Sequence, residues 1–215
     1  MIILENVTKS YPLTRGKNIV LDNINIELST DRNLGILGRN GSGKSTLIRL
    51  ISGAEVPTSG RVLTQCRISW PLAFGGGFQG SLSALDNIRF VSRIYGANWQ
   101  HVVKKVEDFA ELGPYLKMPV KALSSGMRAR LNFGLSLAIE FDVYLADEIP
   151  GVGDRRFKAR FKDAFDKLRS CATLFIVSHD VNTIRNHCDT ALLLNAGKLE
   201  AFNDVDRALE VYNRP

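Results

Sequence analysis

Eight consecutive residues, Gly38, Arg39, Asn40, Gly41, Ser42, Gly43, Lys44 and Ser45, fit the pattern G-x-x-x-x-G-K-[ST], and Thr46 follows them. Glycines at these positions let backbone N–H groups converge on phosphate oxygens, where a side chain would block the approach. A helix opening at Lys44 adds partial positive charge at its N-terminus. Lys44 reaches the β- and γ-phosphates, and Ser45 offers a hydroxyl to Mg²⁺. The run predicts a site for a nucleoside triphosphate with its metal. By itself it does not choose among kinases, GTPases and transport ATPases.

Three further groups narrow the chemistry. Val143-Tyr144-Leu145-Ala146 runs into Asp147 and Glu148. A buried strand of a parallel sheet that ends in acids presents them at the ligand-binding edge. Asp147 then holds the Mg²⁺ shell through water, and Glu148 acts as general base on the attacking water. A solvated strand end has the same sequence. His179 follows an apolar strand in Val-Ser-His-Asp, 32 residues after Asp147. It is placed to contact the γ-phosphate or orient the water, although a lone histidine is also an ordinary structural residue. Leu123-Ser124-Ser125-Gly126-Met127-Arg128 leads into a helix. Ser124 and the Gly126 backbone there make a second anion site, or a helix cap alone.

The elements that must position these groups follow from hydrophobic periodicity. Ile2 to Leu4 and Ile19 to Leu28 read as strands, separated by a turn-rich piece from Pro12 to Asn18. Asn33 to Leu37 is a buried strand that runs into Gly38, and the helix from Lys44 stops at Gly53 and Pro57. Arg61 to Leu72 reads as a strand pair, and Ala73 to Gly80 is too glycine-rich for a regular element. Residues 83–140 read as helical: Ser83 or Asp86 caps the first helix, and Trp99, Val102, Val103, Val106, Phe109 and Ala110 form one apolar face. Strand and helix then alternate: Val143 to Ala146, Arg155 to Arg169, Ala172 to Val177, Val181 to Asn186, Ala191 to Leu194, and a closing helix from Asp204 to Tyr212. Such alternation predicts an α/β fold with a mostly parallel sheet, the helical middle being an insertion on one side.

Composition sets the outer limits. With 215 residues, 45% hydrophobic and 23% charged, the chain has one large domain's worth of length and enough apolar content for a core. The best candidate for a membrane span, Leu131 to Ala146, is broken by Glu140 and Asp142. The start, Met-Ile-Ile-Leu-Glu, has neither the basic residues nor the cleavage site of a secretory signal, so a location on the cytoplasmic side is expected, with any membrane role exerted through a partner. Cys66, Cys171 and Cys188 are odd in number and match no metal spacing, which predicts free thiols. The net charge of +6 is compatible with nucleic acid, acidic lipid or anionic ligands and selects none. The densest basic group, Arg155, Arg156, Lys158, Arg160 and Lys162, has the spacing of a solvated helix face.

Taken together, in this order along nearly the whole chain, the motifs resemble the nucleotide-binding domain of an ABC transporter. The resemblance implies a P-loop NTPase with an N-terminal antiparallel β subdomain and a helical subdomain, about residues 83–140, that carries the signature motif, all within one ATPase domain over 1–215. Tyr11 resembles the aromatic residue that stacks on adenine, and residues 38–46 the Walker A loop. Leu123, Ser124, Ser125, Gly126 and Met127 resemble the signature in the altered form LSSGM, and Asp147 and Glu148 the Walker B acids. Asp154, seven residues after Asp147, matches the D-loop aspartate, with Val152-Gly153 before it in place of Ala-Leu. His179 matches the switch histidine. Gln79, in a glycine-rich run past Trp70, takes the place of the Q-loop glutamine, touching nucleotide and Mg²⁺; an exposed loop amide is its plain alternative. Such domains work as head-to-tail dimers, with each ATP between one subunit's Walker A loop and the other's signature.

The finer resemblance is to ATPase subunits that export capsular polysaccharide. It is carried by Ile68-Ser69-Trp70-Pro71-Leu72, Gly75 to Leu82, Ser124 to Leu131 and Val152-Gly153-Asp154. O-antigen and teichoic acid exporters share part of this pattern. Many O-antigen ATPases carry a C-terminal carbohydrate-binding domain, and the end at Pro215 is expected to favour the capsule type. The partners implied are a second copy of the chain and an integral-membrane permease on the cytoplasmic face of the bacterial inner membrane, with polysaccharide as indirect cargo. ABC relatives that act on nucleic acid or ribosomes usually have tandem domains or long coiled-coil insertions. This sequence has neither, so no nucleic-acid partner is expected.

Overall fold

The computed structural model describes residues 1–72, 78–147 and 155–214. Its strands are β1 (Ile2–Pro12), β2 (Lys17–Leu28), β3 (Leu34–Leu37), β4 (Ser59–Thr64), β5 (Ile68–Pro71), β6 (Val143–Asp147), β7 (Thr173–Val177), β8 (Thr190–Asn195) and β9 (Lys198–Phe202). The helices are α1 (Lys44–Ile51), α2 (Ala84–Ile94), α3 (Trp99–Ala110), α4 (Ser125–Ala138), α5 (Arg155–Cys171), α6 (Val181–His187) and α7 (Val205–Tyr212). The chain divides into two compact units, one of Met1–Pro71, Phe141–Ile149 and Cys171–Pro215, the other of Leu72–Glu140 and Pro150–Ser170.

The first unit holds both sheets. A three-stranded antiparallel sheet has the order β2-β1-β4, and a six-stranded sheet the order β5-β6-β7-β3-β8-β9. Every pairing in the larger sheet is parallel except β8 with β9. β3 and β7 are buried along their whole length, as strands covered on both faces must be, which is why Leu34 to Leu37 and Thr173 to Val177 read as apolar runs rather than alternations. Ile2, Leu4 and Leu21 of the antiparallel sheet join Ile36, Leu47, Ile48, Leu145 and Phe175 in one buried cluster. Each such aliphatic side chain taken from water contributes about 1.5–3 kcal/mol, and together they clamp α1 and the ends of β3, β6 and β7 in fixed register.

The second unit is helical. Ser83 caps α2 by accepting from the Asp86 amide at 3.0 Å, and Asn98 caps α3 by accepting from the amides of Gln100 and His101. Val102, Val106, Phe109 and Ala110 are buried, as their spacing predicts, while Trp99 and Val103 are half-buried, Trp99 beneath the Arg89 guanidinium. Phe157, Phe161, Phe165 and Leu168 form a buried stripe on α5; Phe161 stacks on Phe133 of α4 at 3.9 Å, and Phe157 meets Phe109 edge-on at 5.4 Å. These rings attach most of α5 to the helical unit rather than to the strands on either side of it in sequence. Arg156, Lys158 and Lys162 are exposed, so these members of the basic run lie on a solvated face as expected, while Arg160 is half-buried; Arg156 and Arg160 pair with Glu111. The three cysteines are free thiols.

Three local expectations differ from the fold. β1 extends to Pro12, well beyond Leu4, because its polar half pairs with the hairpin strand β2. The strand pair read between Arg61 and Leu72 is two strands of different sheets, β4 pairing with β1 and β5 with β6. β9 was not legible: it returns antiparallel from β8 through a tight turn at Ala196 and Gly197, both at positive φ (45° and 77°), and only Phe202 along it is buried.

Candidate functional site

The phosphate-loop sequence forms the connection between β3, in the interior of the sheet, and α1. Gly43 stands just before α1 at φ 106°, and its Cα faces Val20 so closely that a Cβ would lie 2.5 Å from Val20 Cγ1. Only glycine fits there. Among the described residues no side chain caps α1, which leaves the start of the helix open to an anion. The Ser42 hydroxyl is buried and has no hydrogen-bond partner among the described residues. An uncapped helix start, an orphaned hydroxyl and a glycine cradle are what a bound phosphate group would complete. Lys44 Nζ donates to the carbonyl oxygens of Gly38 at 2.7 Å and Arg39 at 3.1 Å, so its charge already lies over the loop.

A cavity of about 410 Å³ opens beside this loop, lined by Tyr11, Asn18, Val20, Asn40, Gly41, Gly43, Lys44, Ser45, Thr46, Asp147 and Val177. Eight of those eleven are residues the sequence singled out. Asp147 arrives as the last residue of β6, opposite Val177 at the tip of β7. The two neighbouring hydroxyls have different surroundings. Thr46 is buried, and its Oγ1 accepts from Arg49 Nη2 at 3.3 Å and lies 3.4 Å from the Tyr11 hydroxyl, whereas Ser45 is exposed. Ser45 and the half-buried Asp147 are hard oxygen donors in one cavity, a set that fits Mg²⁺.

The sequence reading missed Asn18 and Val20. They line the cavity because β2 folds back on β1 with Asn18 opposite Tyr11, and a strand places residues 18 and 20 on one face. The turn-rich stretch after Pro12 was the available signal. His179 is exposed two residues past the end of β7 and is not among the lining residues; beside it Asp180 caps α6 through the amides of Asn182 and Thr183. The Thr183 hydroxyl, foremost, and these amides hold the Asp180 carboxyl below its ordinary range.

The remaining residues belong to the second unit or lie outside the described residues. Ser124 is the N-cap of α4, its Oγ accepting from the Met127 amide at 3.2 Å. A hydroxyl that accepts one bond still has a proton to donate. Ser124 and Ser125 are exposed, Leu123 is buried beneath them, and the space where a Gly126 Cβ would stand is open. Gln79 is exposed; its backbone is held at both ends by the buried Asn87 carboxamide, which accepts from the Gln79 amide at 2.8 Å and donates to its carbonyl at 3.1 Å. Glu148 and Asp154 fall outside the described residues.

Comparison with known proteins agrees with this geometry. The family model described as ABC transporter matches residues 21–150. The chain is 49% identical to the ATP-binding protein BexA of Haemophilus influenzae, with 99% of this chain and 98% of that protein covered. It is 49% identical to the capsule polysaccharide export ATP-binding protein CtrD of Neisseria meningitidis serogroup B, covering 99% of both. It is 45% identical to the polysialic acid transport ATP-binding protein KpsT of Escherichia coli, covering 100% of this chain and 99% of that one. Among solved structures, the dimeric post-hydrolysis state of the ATP-binding cassette MJ0796 bound to ADP and Pi superposes with a TM-score of 0.71 at 25% identity, over 93% of this chain and 97% of that one.

Proposed function

The chain belongs to the ABC transporter ATP-binding family, and on that footing we propose that it is the ATPase subunit of a capsular polysaccharide exporter. The observation that carries the reading is the joining of Lys44, Ser45 and Asp147 in one cavity at the carboxyl ends of parallel strands, in a chain nearly half identical along its length to a capsule export ATP-binding protein.

In this proposal the loop amides and Lys44 bind the ATP phosphates, and Tyr11 stacks on the base. Ser45 and Asp147, with Gln79 as a further ligand, would hold Mg²⁺, which would supply charge neutralisation at the phosphates. Glu148 takes the proton of the attacking water, and His179 orients the γ-phosphate side. Two copies associate head to tail, so that Ser124, Ser125 and Gly126 of one copy face the ATP held by the other, with Asp154 at the seam. Closure is a shift of population: a near-complete switch needs ATP to favour the closed dimer by about 5.5 kcal/mol. Hydrolysis removes the bridging phosphate and lets the dimer reopen.

No helix among the described residues is long and apolar enough to cross a membrane, so the proposal gives the membrane path to a permease subunit. Its cytoplasmic helix docks on the helical unit, where Phe90 (58% exposed) and Ile94 (61%) lie one turn apart on α2. This puts the chain on the cytoplasmic face of the inner membrane. The test is replacement in the cell of the native gene by a Lys44→Ala allele. Polysaccharide retained inside the cell, with the permease still present, is expected; normal surface polysaccharide would reject the assignment.

A further inference from the structure

Behind Tyr11 stands a group of charged residues that the reaction scheme leaves unused. Helix α1 ends at Ile51 with Ser52 as its C-cap, and Gly53, at φ 72°, turns the chain back so that the Glu55 amide donates to the Arg49 carbonyl at 3.1 Å. This return delivers the Glu55 carboxylate to the Tyr11 hydroxyl, which donates to Glu55 Oε2 at 3.0 Å. The same oxygen accepts from Arg49 Nε at 3.1 Å, and Arg49 Nη2 donates to the Tyr11 hydroxyl at 3.3 Å. Lys9 closes the other side, 2.8 Å from Glu55 Oε1 and 5.2 Å from the centre of the Tyr11 ring. Lys9 is also anchored to the Val56 carbonyl at 2.8 Å.

The geometry points to Glu55 as a positioning residue for the nucleotide base: it holds Tyr11 by its hydroxyl, so that the ring is set at the cavity wall before ATP arrives. The inference rests on the reading of Tyr11 as the base platform. The physical argument is one of preorganisation. A tyrosine near the end of a strand next to a turn loses side-chain freedom when a base stacks on it, and that loss is subtracted from binding. A carboxylate bound to the hydroxyl removes most of this freedom in advance. Glu55 suits the task because it is fixed in turn. Its side chain is 21% exposed, and Lys9, Tyr11 and Arg49 all donate to it. Arg49 is anchored in its turn, donating to Thr46 Oγ1 at 3.3 Å.

The network acts on the base and not on the phosphates, and that separates it from a merely structural brace of α1. The experiment measures the Kd of the full chain for ATP and for inorganic tripolyphosphate, a probe without a base. Glu55→Ala is expected to weaken ATP about fivefold, the scale of one ordinary net hydrogen bond, and to leave tripolyphosphate unchanged. Tyr11→Phe, which keeps the ring and removes the hydroxyl, is expected to do the same, and the double variant to lose no more than either alone. Glu55→Gln, which retains an acceptor oxygen, restores most of the affinity. In turnover, KM for ATP rises while kcat holds.

An ATP Kd unchanged in Glu55→Ala overturns the inference, and so does equal weakening of ATP and tripolyphosphate. If Glu55→Ala does not fold, Tyr11→Phe decides alone, an unchanged ATP Kd again overturning it. Tyr11→Ala separates the two levels. If it binds ATP normally, the base-platform reading fails and the inference with it; if it binds ATP weakly while Glu55→Ala binds normally, only the inference fails.

Discussion

The Lys44 ammonium donates to the Gly38 carbonyl at 2.7 Å, across the loop that these two residues begin and close. The contact keeps a cation within a ring of backbone dipoles, where it draws anions without searching for a conformation. Replacing Lys44 with Ala removes both the charge that meets phosphate and a tie across the loop. ATP affinity is expected to fall about tenfold or more, the value of a charged hydrogen bond in a sheltered site. Equilibrium titration with ATP checks this, and unchanged affinity would contradict the phosphate-loop assignment.

Gly43 offers a test of geometry without a change of charge. At φ 106°, with Val20 Cγ1 2.5 Å from where a Cβ would stand, Gly43→Ala must shift either the loop or β2. The strain is of the order of 1–3 kcal/mol. A lower unfolding midpoint in urea together with loss of ATP binding is expected. Full stability with full binding would mean that the cradle has slack that the contact denies.

Glu55 predicts a pH dependence with a definite sign. Burial raises its carboxyl, but hydrogen bonds from Lys9, Tyr11 and Arg49 outweigh burial and hold it below its ordinary 4.5. The Tyr11 hydroxyl and Glu55 in turn keep Arg49 protonated more firmly than usual, against its partial desolvation. A carboxyl lowered in the folded state adds stability above its unfolded pKa and loses it as pH falls through the folded value. The stability gap between the native chain and Glu55→Ala is therefore expected to be constant around neutrality and to close only below pH 4.5. Urea unfolding at a series of pH values measures it; a gap that closes near neutral pH would place another group at the centre of this network.

Ser124 carries two duties that a single substitution separates. As the N-cap of α4 its loss costs about 1 kcal/mol of stability. As the residue that faces ATP in a second copy, its replacement by Arg is expected to stop hydrolysis while the isolated chain still binds ATP with native affinity. ATPase assay and ATP titration on one preparation of Ser124→Arg distinguish these effects. Surviving turnover would remove the shared site.

What the sequence made legible is what local residue types encode. Gly38 to Thr46 specify backbone geometry, so the loop and its helix were readable, and Asp147 was readable as an acid that ends an apolar run. Asn18 and Val20 were not, because their place at the cavity depends on the β1–β2 register, and a shift of one residue would turn both away. Glu55 was invisible for a similar reason: its partners Lys9, Tyr11 and Arg49 come from two other elements, and only the turn at Gly53 brings it to them. By its period α5 reads as one member of an alternation of strands and helices, yet its Phe157 and Phe161 pack on Phe109 and Phe133. An apolar stripe names a buried face but not what it is buried against.

In the proposed cycle ATP is shared between two copies and is hydrolysed with Glu148 as general base. Light scattering on Glu148→Gln with ATP and Mg²⁺ tests it most directly, since loss of a general base slows turnover about 10²–10⁴-fold and leaves binding intact. A particle of twice the chain's mass that reverts to single chains when ATP is removed is expected. A particle of one chain's mass with ATP bound, or turnover at the native rate, would contradict it.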